Sequence, residues 1–383
     1  MSQAAAIEKK EDGYHLRGEK LKVGIVGATG MVGQQLLRML KDHPWFEVTR
    51  LAASKNSAGV PYCQSVKDRW FMDFPLPEAI GSIQVVDADD IEAVTKGIDI
   101  VFCAVSLDKA AVLKLEDALA RAGVFVTSCN SANRADALVP MMIPVANADH
   151  LSVLDIQRQE RGYTSGGAVI VKSNCSIQSY VIALEALKAY EAETVFVHSE
   201  QAVSGAGKTF GTWPEMVENV IPYIGGEEQK SEIEPLKIWG KVGVKGIEPA
   251  QTPKITAKCV RVAVADGHTA YVNVRFKKAI SKEAILAAWE NFEGVKGLPS
   301  APQKQIHYLS EVDRPQPKLD VMTDRGMAVS IGQLHVGDDN WVRFTALAHN
   351  TLLGAAGGAV LATELAVARG HVIQHSQAKA ALV

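Results

Sequence analysis

Residues 21–40 read LKVGIVGATGMVGQQLLRML: an apolar run, a glycine-rich turn, then a run with helical spacing. No other segment constrains the fold as strongly. The run 21–27 is short, β-branched and closed by Gly27, so it predicts a strand buried on both faces. Val32, Leu36, Leu37 and Leu40 fall on one face of a helix that stops before Pro44. A buried strand that turns directly into a helix is half of a βαβ unit. The alternation continues, with strands predicted over 48–53, 83–86, 98–105, 124–127 and 168–171, and a helix over 110–122 closed by Gly123. Strands alternating with helices imply a parallel sheet covered on both faces.

Beyond Asn174 the pattern changes. A helix is predicted over 176–190. Longer alternating strands follow over 194–203, 256–264, 270–276, 327–336 and 342–348, read as antiparallel with one face buried. A final helix over 355–369 is expected to pack back on the first domain. Residues 1–20 read as a loosely docked arm and 371–383 as a loose tail.

The chain has 383 residues, enough for two domains. Its formal net charge of −3 lacks the basic balance of a nucleic-acid binder. No apolar run reaches the roughly 18 residues that a membrane span needs, and the start has no apolar signal core. Cys63, Cys103, Cys129, Cys175 and Cys259 form no CxxC pair, which argues against a disulfide framework and a zinc site. A reducing, cytoplasmic setting with free thiols and no metal is expected.

Gly27-Ala28-Thr29-Gly30-Met31-Val32-Gly33 follows a predicted strand and opens a predicted helix. Glycines there let backbone amides approach a pyrophosphate, and the helix start adds positive potential. An NAD site usually carries an acidic residue at the end of the second strand. This chain has Ser54, Lys55 and Ser57 there instead, two hydroxyls and a cation suited to the 2′-phosphate of NADP.

Ser173-Asn174-Cys175-Ser176 closes the strand at 168–171 and opens a helix. A thiol in a helix's first turn is expected to be acidified by the dipole, which makes Cys175 the candidate nucleophile. Its base is sought among the histidines. His268 shares the inward face of Ala270, Val272, Val274 and Phe276. His349 is a second candidate. Arg261 stands beside small residues on the preceding strand, with room for two-point binding of a carboxylate.

Taken together, GATGMVG at 27–33, SNCS at 173–176, QAVSGAGK at 201–208, EEQK at 227–230, RVAVADGH at 261–268 and HNTLLGAAGG at 349–358 resemble the aspartate-semialdehyde dehydrogenase family, in the branch found in archaea and fungi. The resemblance implies an α/β fold. A Rossmann-type NADP-binding domain over 1–171 would be completed by 350–383. An α+β catalytic and dimerisation domain over 172–349 would carry a mixed, largely antiparallel sheet. It implies NADP- and phosphate-dependent interconversion of L-4-aspartyl phosphate and L-aspartate-4-semialdehyde, in a homodimer or homotetramer.

By the same resemblance Cys175 is the nucleophile and His268 the acid/base. Arg261 would bind the substrate α-carboxylate and Glu227 its amino group. Lys230 and Arg134 would hold phosphate, while Gln201 and Asn174 orient the substrate. Cofactor contacts would fall on Gly27, Thr29, Gly30, Met31, Val32, Ser54, Lys55, Ser57, Ser204, Gly205 and Asn350. Two rival readings remain open at this stage: a malonyl-CoA reductase on the same scaffold, and a non-catalytic NADP-binding regulator.

Overall fold

A computed structural model describes residues 7–10 and 13–374. Seven strands form the first sheet: β1 (Leu21–Val26), β2 (Phe46–Ala53), β3 (Val85–Asp87), β4 (Ile100–Cys103), β5 (Phe125–Ser128), β6 (Met141–Met142) and β7 (Ala168–Lys172). Their order is β3-β2-β1-β4-β5-β7-β6 and every pairing is parallel. The order reverses beside β1, so the crevice that receives a dinucleotide opens at the end of that strand. β1, β4, β5 and β7 are buried almost throughout, which is why they read as unbroken apolar runs.

The second sheet holds β8 (Ala192–Gln201), β9 (Val220–Ile221), β10 (Lys254–Val262), β11 (His268–Phe276), β12 (Ile306–Leu309), β13 (Val329–Val336) and β14 (Trp341–Ala348). Its order is β9-β10-β8-β11-β14-β13-β12. Pairings β8–β10 and β12–β13 are parallel and the other four antiparallel. The mixed sheet is as expected, though the alternating pattern alone had suggested a wholly antiparallel one.

The helix Gly357–Ala368 returns to the first sheet, where Thr363 Oγ1 lies 2.7 Å from Thr127 Oγ1. Buried Glu364 on that helix accepts from His43 Nε2 at 2.8 Å and from the Ser300 amide. One carboxylate thus ties the final helix to both halves of the chain.

Several boundaries move. The arm is partly ordered: Ile7–Lys10 and Gly13–Leu16 pair as a hairpin, and the Tyr14 amide donates to Gly297 O at 2.9 Å. The tail is docked at its start, with Val372 and Gln374 buried; residues 375–383 lie outside the described residues. The helix expected over 176–190 is Gln178–Glu185 followed by a short 3-10 turn at Lys188–Tyr190.

Candidate active site

The cofactor crevice starts from the turn after β1. Gly27 takes φ +87°, and a Cβ on it would collide with Ala104 O, so the turn requires glycine. The helix Met31–Leu40 has no acidic residue in its first turn, and its first backward bond runs from Gln34 N to Gly30 O. The amides of the helix's first turn, Met31 to Gly33, are therefore left for an anion.

A cavity of about 510 Å³ is lined by Gly27, Thr29, Gly30, Ser54, Lys55 and Asp87, among others. A second, of about 140 Å³, runs from Met31 and Gln35 across to Ser204, Lys208 and Asp266 on the other sheet's loops. The two cavities together fit a dinucleotide laid from the β2 end toward the second domain.

Ser57 is placed differently from the expectation. It is buried, and its hydroxyl accepts from Arg69 Nη2 at 2.9 Å, so it does not line the cavity. Arg69, which the sequence reading missed, holds that hydroxyl from an exposed position. Asn350 donates from Nδ2 to Ser204 Oγ at 2.8 Å and accepts from the Gly267 amide at 2.8 Å. Val32 sits in the first turn of its helix and lines neither cavity.

Cys175 lies in the turn between β7 and the helix Gln178–Glu185, before that helix and not within its first turn. Asn174 explains the delay. Its Oδ1 accepts from both the amide and the hydroxyl of Ser176 at 2.7 Å, an Asx turn that competes with helix. The Asn174 amide in turn donates to Glu234 Oε2 at 2.6 Å. The thiol is also not acidified in this state: burial, then the Glu227 carboxylate, push it up to about 11, against the pull of Arg134, Lys172 and Arg261.

His268 Nε2 is 3.4 Å from Cys175 Sγ. Its Nδ1 accepts from the Ala202 amide at 3.0 Å, which in a neutral ring leaves the proton on Nε2, facing sulfur. Burial, reinforced by Arg261, pulls the imidazole down to about 3, so it is neutral near pH 7. His349, the other candidate, caps the amides of Thr351 and Leu352 through Nδ1 and is a structural residue.

Around this pair the substrate-binding candidates converge. Arg261 is 6% exposed and donates from Nη1 to Ala202 O at 2.7 Å. Gln201, its register partner on β8, donates to Glu227 Oε2 at 3.3 Å. Asn174 Nδ2 donates to both Glu227 oxygens, and Lys230 Nζ to Oε1 at 2.6 Å. Burial opposes ionisation of Glu227, but the bonds from Lys230, Asn174 and Gln201 prevail and hold its carboxyl below the usual range.

Arg134 reaches the site through Glu234 Oε1 at 3.0 Å and Lys172 O at 3.0 Å. Gly205 presses on the centre: a Cβ there would lie 2.8 Å from His268 Cε1 and 2.9 Å from Arg261 Nη1. Glu234, which fastens both Asn174 and Arg134, was missed by the sequence reading. Its helix Glu227–Ile238 carries Pro235, a poor helix signal, and its partners lie 60 and 100 residues away. Among the described residues no group of His, Cys, Asp and Glu is arranged to hold a metal.

Comparisons with known proteins bear on the family of the chain. The semialdehyde dehydrogenase NAD binding domain matches residues 22–154, and the semialdehyde dehydrogenase dimerisation domain matches residues 184–353. The chain is 39% identical over 350 residues to the aspartate-semialdehyde dehydrogenase of Archaeoglobus fulgidus, covering 91% of this chain and 98% of that one. It is 37% identical over 367 residues to that of Aspergillus fumigatus, covering 92% and 99%. The crystal structure of aspartate semialdehyde dehydrogenase with NADP from Candida albicans aligns with a TM-score of 0.82 at 33% identity, over 91% of this chain and 99% of that one.

Proposed function

The chain belongs to the aspartate-semialdehyde dehydrogenase family, and from that premise we propose how its residues divide the reaction. The reaction is the NADPH-dependent reductive dephosphorylation of L-4-aspartyl phosphate to L-aspartate-4-semialdehyde, which serves lysine, threonine, methionine and isoleucine biosynthesis. The malonyl-CoA and regulator readings gain no support from relatives at this identity.

The Arg261 guanidinium, buried with spare donors, binds the substrate α-carboxylate, and the ionised Glu227 receives the α-ammonium. Held at both ends, the substrate presents its acyl carbon to Cys175 Sγ, and such positioning contributes several kcal/mol. The C–S bond forms, the C–O bond to phosphate breaks, and a thioester remains on Cys175. Arg134 and Lys230 neutralise the departing phosphate. The chemistry that NADPH brings when bound is hydride donation. The Nε2–H of His268 donates to the charged oxygen of the tetrahedral species. Its collapse returns the thiolate and frees the aldehyde. Gly27, Thr29, Gly30 and Met31 hold the pyrophosphate, Ser54 and Lys55 face the 2′-phosphate, and Ser204 with Asn350 borders the nicotinamide end.

The observation that carries this assignment is the 3.4 Å approach of His268 Nε2 to Cys175 Sγ, with Arg261 and Glu227 beside them. The test is NADP reduction by L-aspartate-4-semialdehyde. We expect reduction that depends on phosphate. Phosphate-independent turnover, or NADPH oxidation by malonyl-CoA alone, would overturn the reading.

We also infer a homodimer or homotetramer paired through the outer face of the second sheet, where Phe196 is 47% and Tyr271 42% exposed. The match to a dimerisation domain supports this. Among the described residues no helix is long and apolar enough to cross a membrane, and we place the enzyme in the cytoplasm.

A further inference from the structure

Lys172 ends β7 three residues before Cys175, and the mechanism above assigns it nothing. Its side chain is 2% exposed. The lysine stem and the cysteine rest on one strip of bare backbone. A Cβ on Gly354 would lie 2.9 Å from Cys175 Cβ, and a Cβ on Gly358, four residues on, would run into Lys172 Cε. Positions four apart on a helix are neighbours on its surface. The Lys172 ammonium has three donors, one of which bonds Ser173 Oγ at 3.2 Å. That hydroxyl also receives Gln178 Nε2 at 2.6 Å.

Two features near sulfur make a countercharge necessary. The helix expected to acidify the thiol starts too late, and its neighbouring amides are committed to Glu234 and Asn174 Oδ1. His268 carries its proton on the nitrogen facing sulfur, so it can donate to a thiolate but not take the thiol's proton. We propose that Lys172 is the positioning residue whose ammonium makes the Cys175 thiolate accessible. As the S–H bond breaks the proton leaves to solvent, and the thiolate that remains is stabilised by the ammonium form of Lys172.

The surroundings set the balance of charge at both groups. Burial, helped by Arg134, brings Lys172 down to about 7, while Cys175, Cys129 and Glu234 pull it upward. On the sulfur side burial and Glu227 oppose the thiolate, and Arg134, Lys172 and Arg261 favour it. The inference deepens the proposed mechanism and rests on Cys175 being its nucleophile.

The experiment follows alkylation of Cys175 by iodoacetamide against pH, read on its peptide by mass spectrometry, without substrate. In Lys172→Met we expect the midpoint to rise by about one unit or more, so alkylation near neutral pH slows about tenfold. Lys172→Arg, which stays charged, should keep it at the wild-type value. NADP affinity should persist in both, since neither cofactor cavity includes Lys172. A wild-type midpoint in Lys172→Met overturns the proposal. So does an Arg variant with a raised midpoint, which covers the case where Met fails to fold. Loss of phosphate-dependent turnover in the wild type would instead count against the proposed function, and this thiol titration would still stand as a separate result.

Discussion

Gly205 offers the sharpest perturbation, because it touches catalysis without carrying a functional group. A methyl at this position would meet His268 Cε1 at 2.8 Å and Arg261 Nη1 at 2.9 Å. Carbon contacts are comfortable near 3.5 Å, so the ring must retreat by roughly 0.7 Å. His268 is fixed on its far side by the Ala202 amide, and Arg261 by Ala202 O, so both move together or the turn at Ser204-Gly205 lifts. A misplacement of about 1 Å in a catalytic group costs on the order of 100-fold, close to 3 kcal/mol of transition-state stabilisation. Gly205→Ala should therefore lower kcat/KM for aspartate semialdehyde about 100-fold while the thermal midpoint stays within a few degrees. Steady-state kinetics beside a melting curve measures both. Turnover within a factor of three of wild type would refute the claim that this backbone sets the His268 and Arg261 geometry.

Other substitutions separate the roles. Cys175→Ala should abolish turnover and leave NADP binding intact by fluorescence titration; residual turnover above background would remove the nucleophile. Arg261→Lys should raise KM tenfold or more and lower kcat, because an ammonium cannot reproduce the two-point fork; wild-type kinetics would contradict the carboxylate role. His268 also couples stability to pH. Its folded value is depressed to about 3 and the unfolded chain protonates near 6.5, so stability is lost as pH falls through that window. His268→Asn should flatten the urea-unfolding profile there by up to about 1.4 kcal/mol per pH unit, and an unchanged slope would show that the ring is not held neutral.

The legible parts of the chain were those governed by periodicity and turn chemistry. The run 21–27 announces a doubly buried strand, and GATG announces the turn it requires. His268 could be oriented because β-strand parity places it with Val272 and Val274, and the structure buries it there. The illegible parts depend on contacts far apart in sequence. The strands Ile7–Lys10 and Gly13–Leu16 are docked by distant partners, through the Tyr14 amide on Gly297 O and through Ile7, Tyr14 and Leu16 packed on the core. Ser57 looks like a free hydroxyl until Arg69 folds onto it. Lys172 reads as one polar residue at a strand end, and only the glycine strip of the last helix shows its stem on the same surface as Cys175. The helix start at Gln178 was misplaced because Asn174 and Ser176 form a local turn whose energy rivals the first helical turn.

The account rests on covalent transfer through Cys175. Mixing the enzyme with aspartyl phosphate in the absence of NADPH, quenching in acid and mapping peptides by mass spectrometry tests it directly. The account predicts one aspartyl group on the peptide containing Cys175, released by hydroxylamine and absent in Cys175→Ala. An unmodified Cys175 peptide, together with full phosphate-dependent turnover in the same preparation, would contradict it.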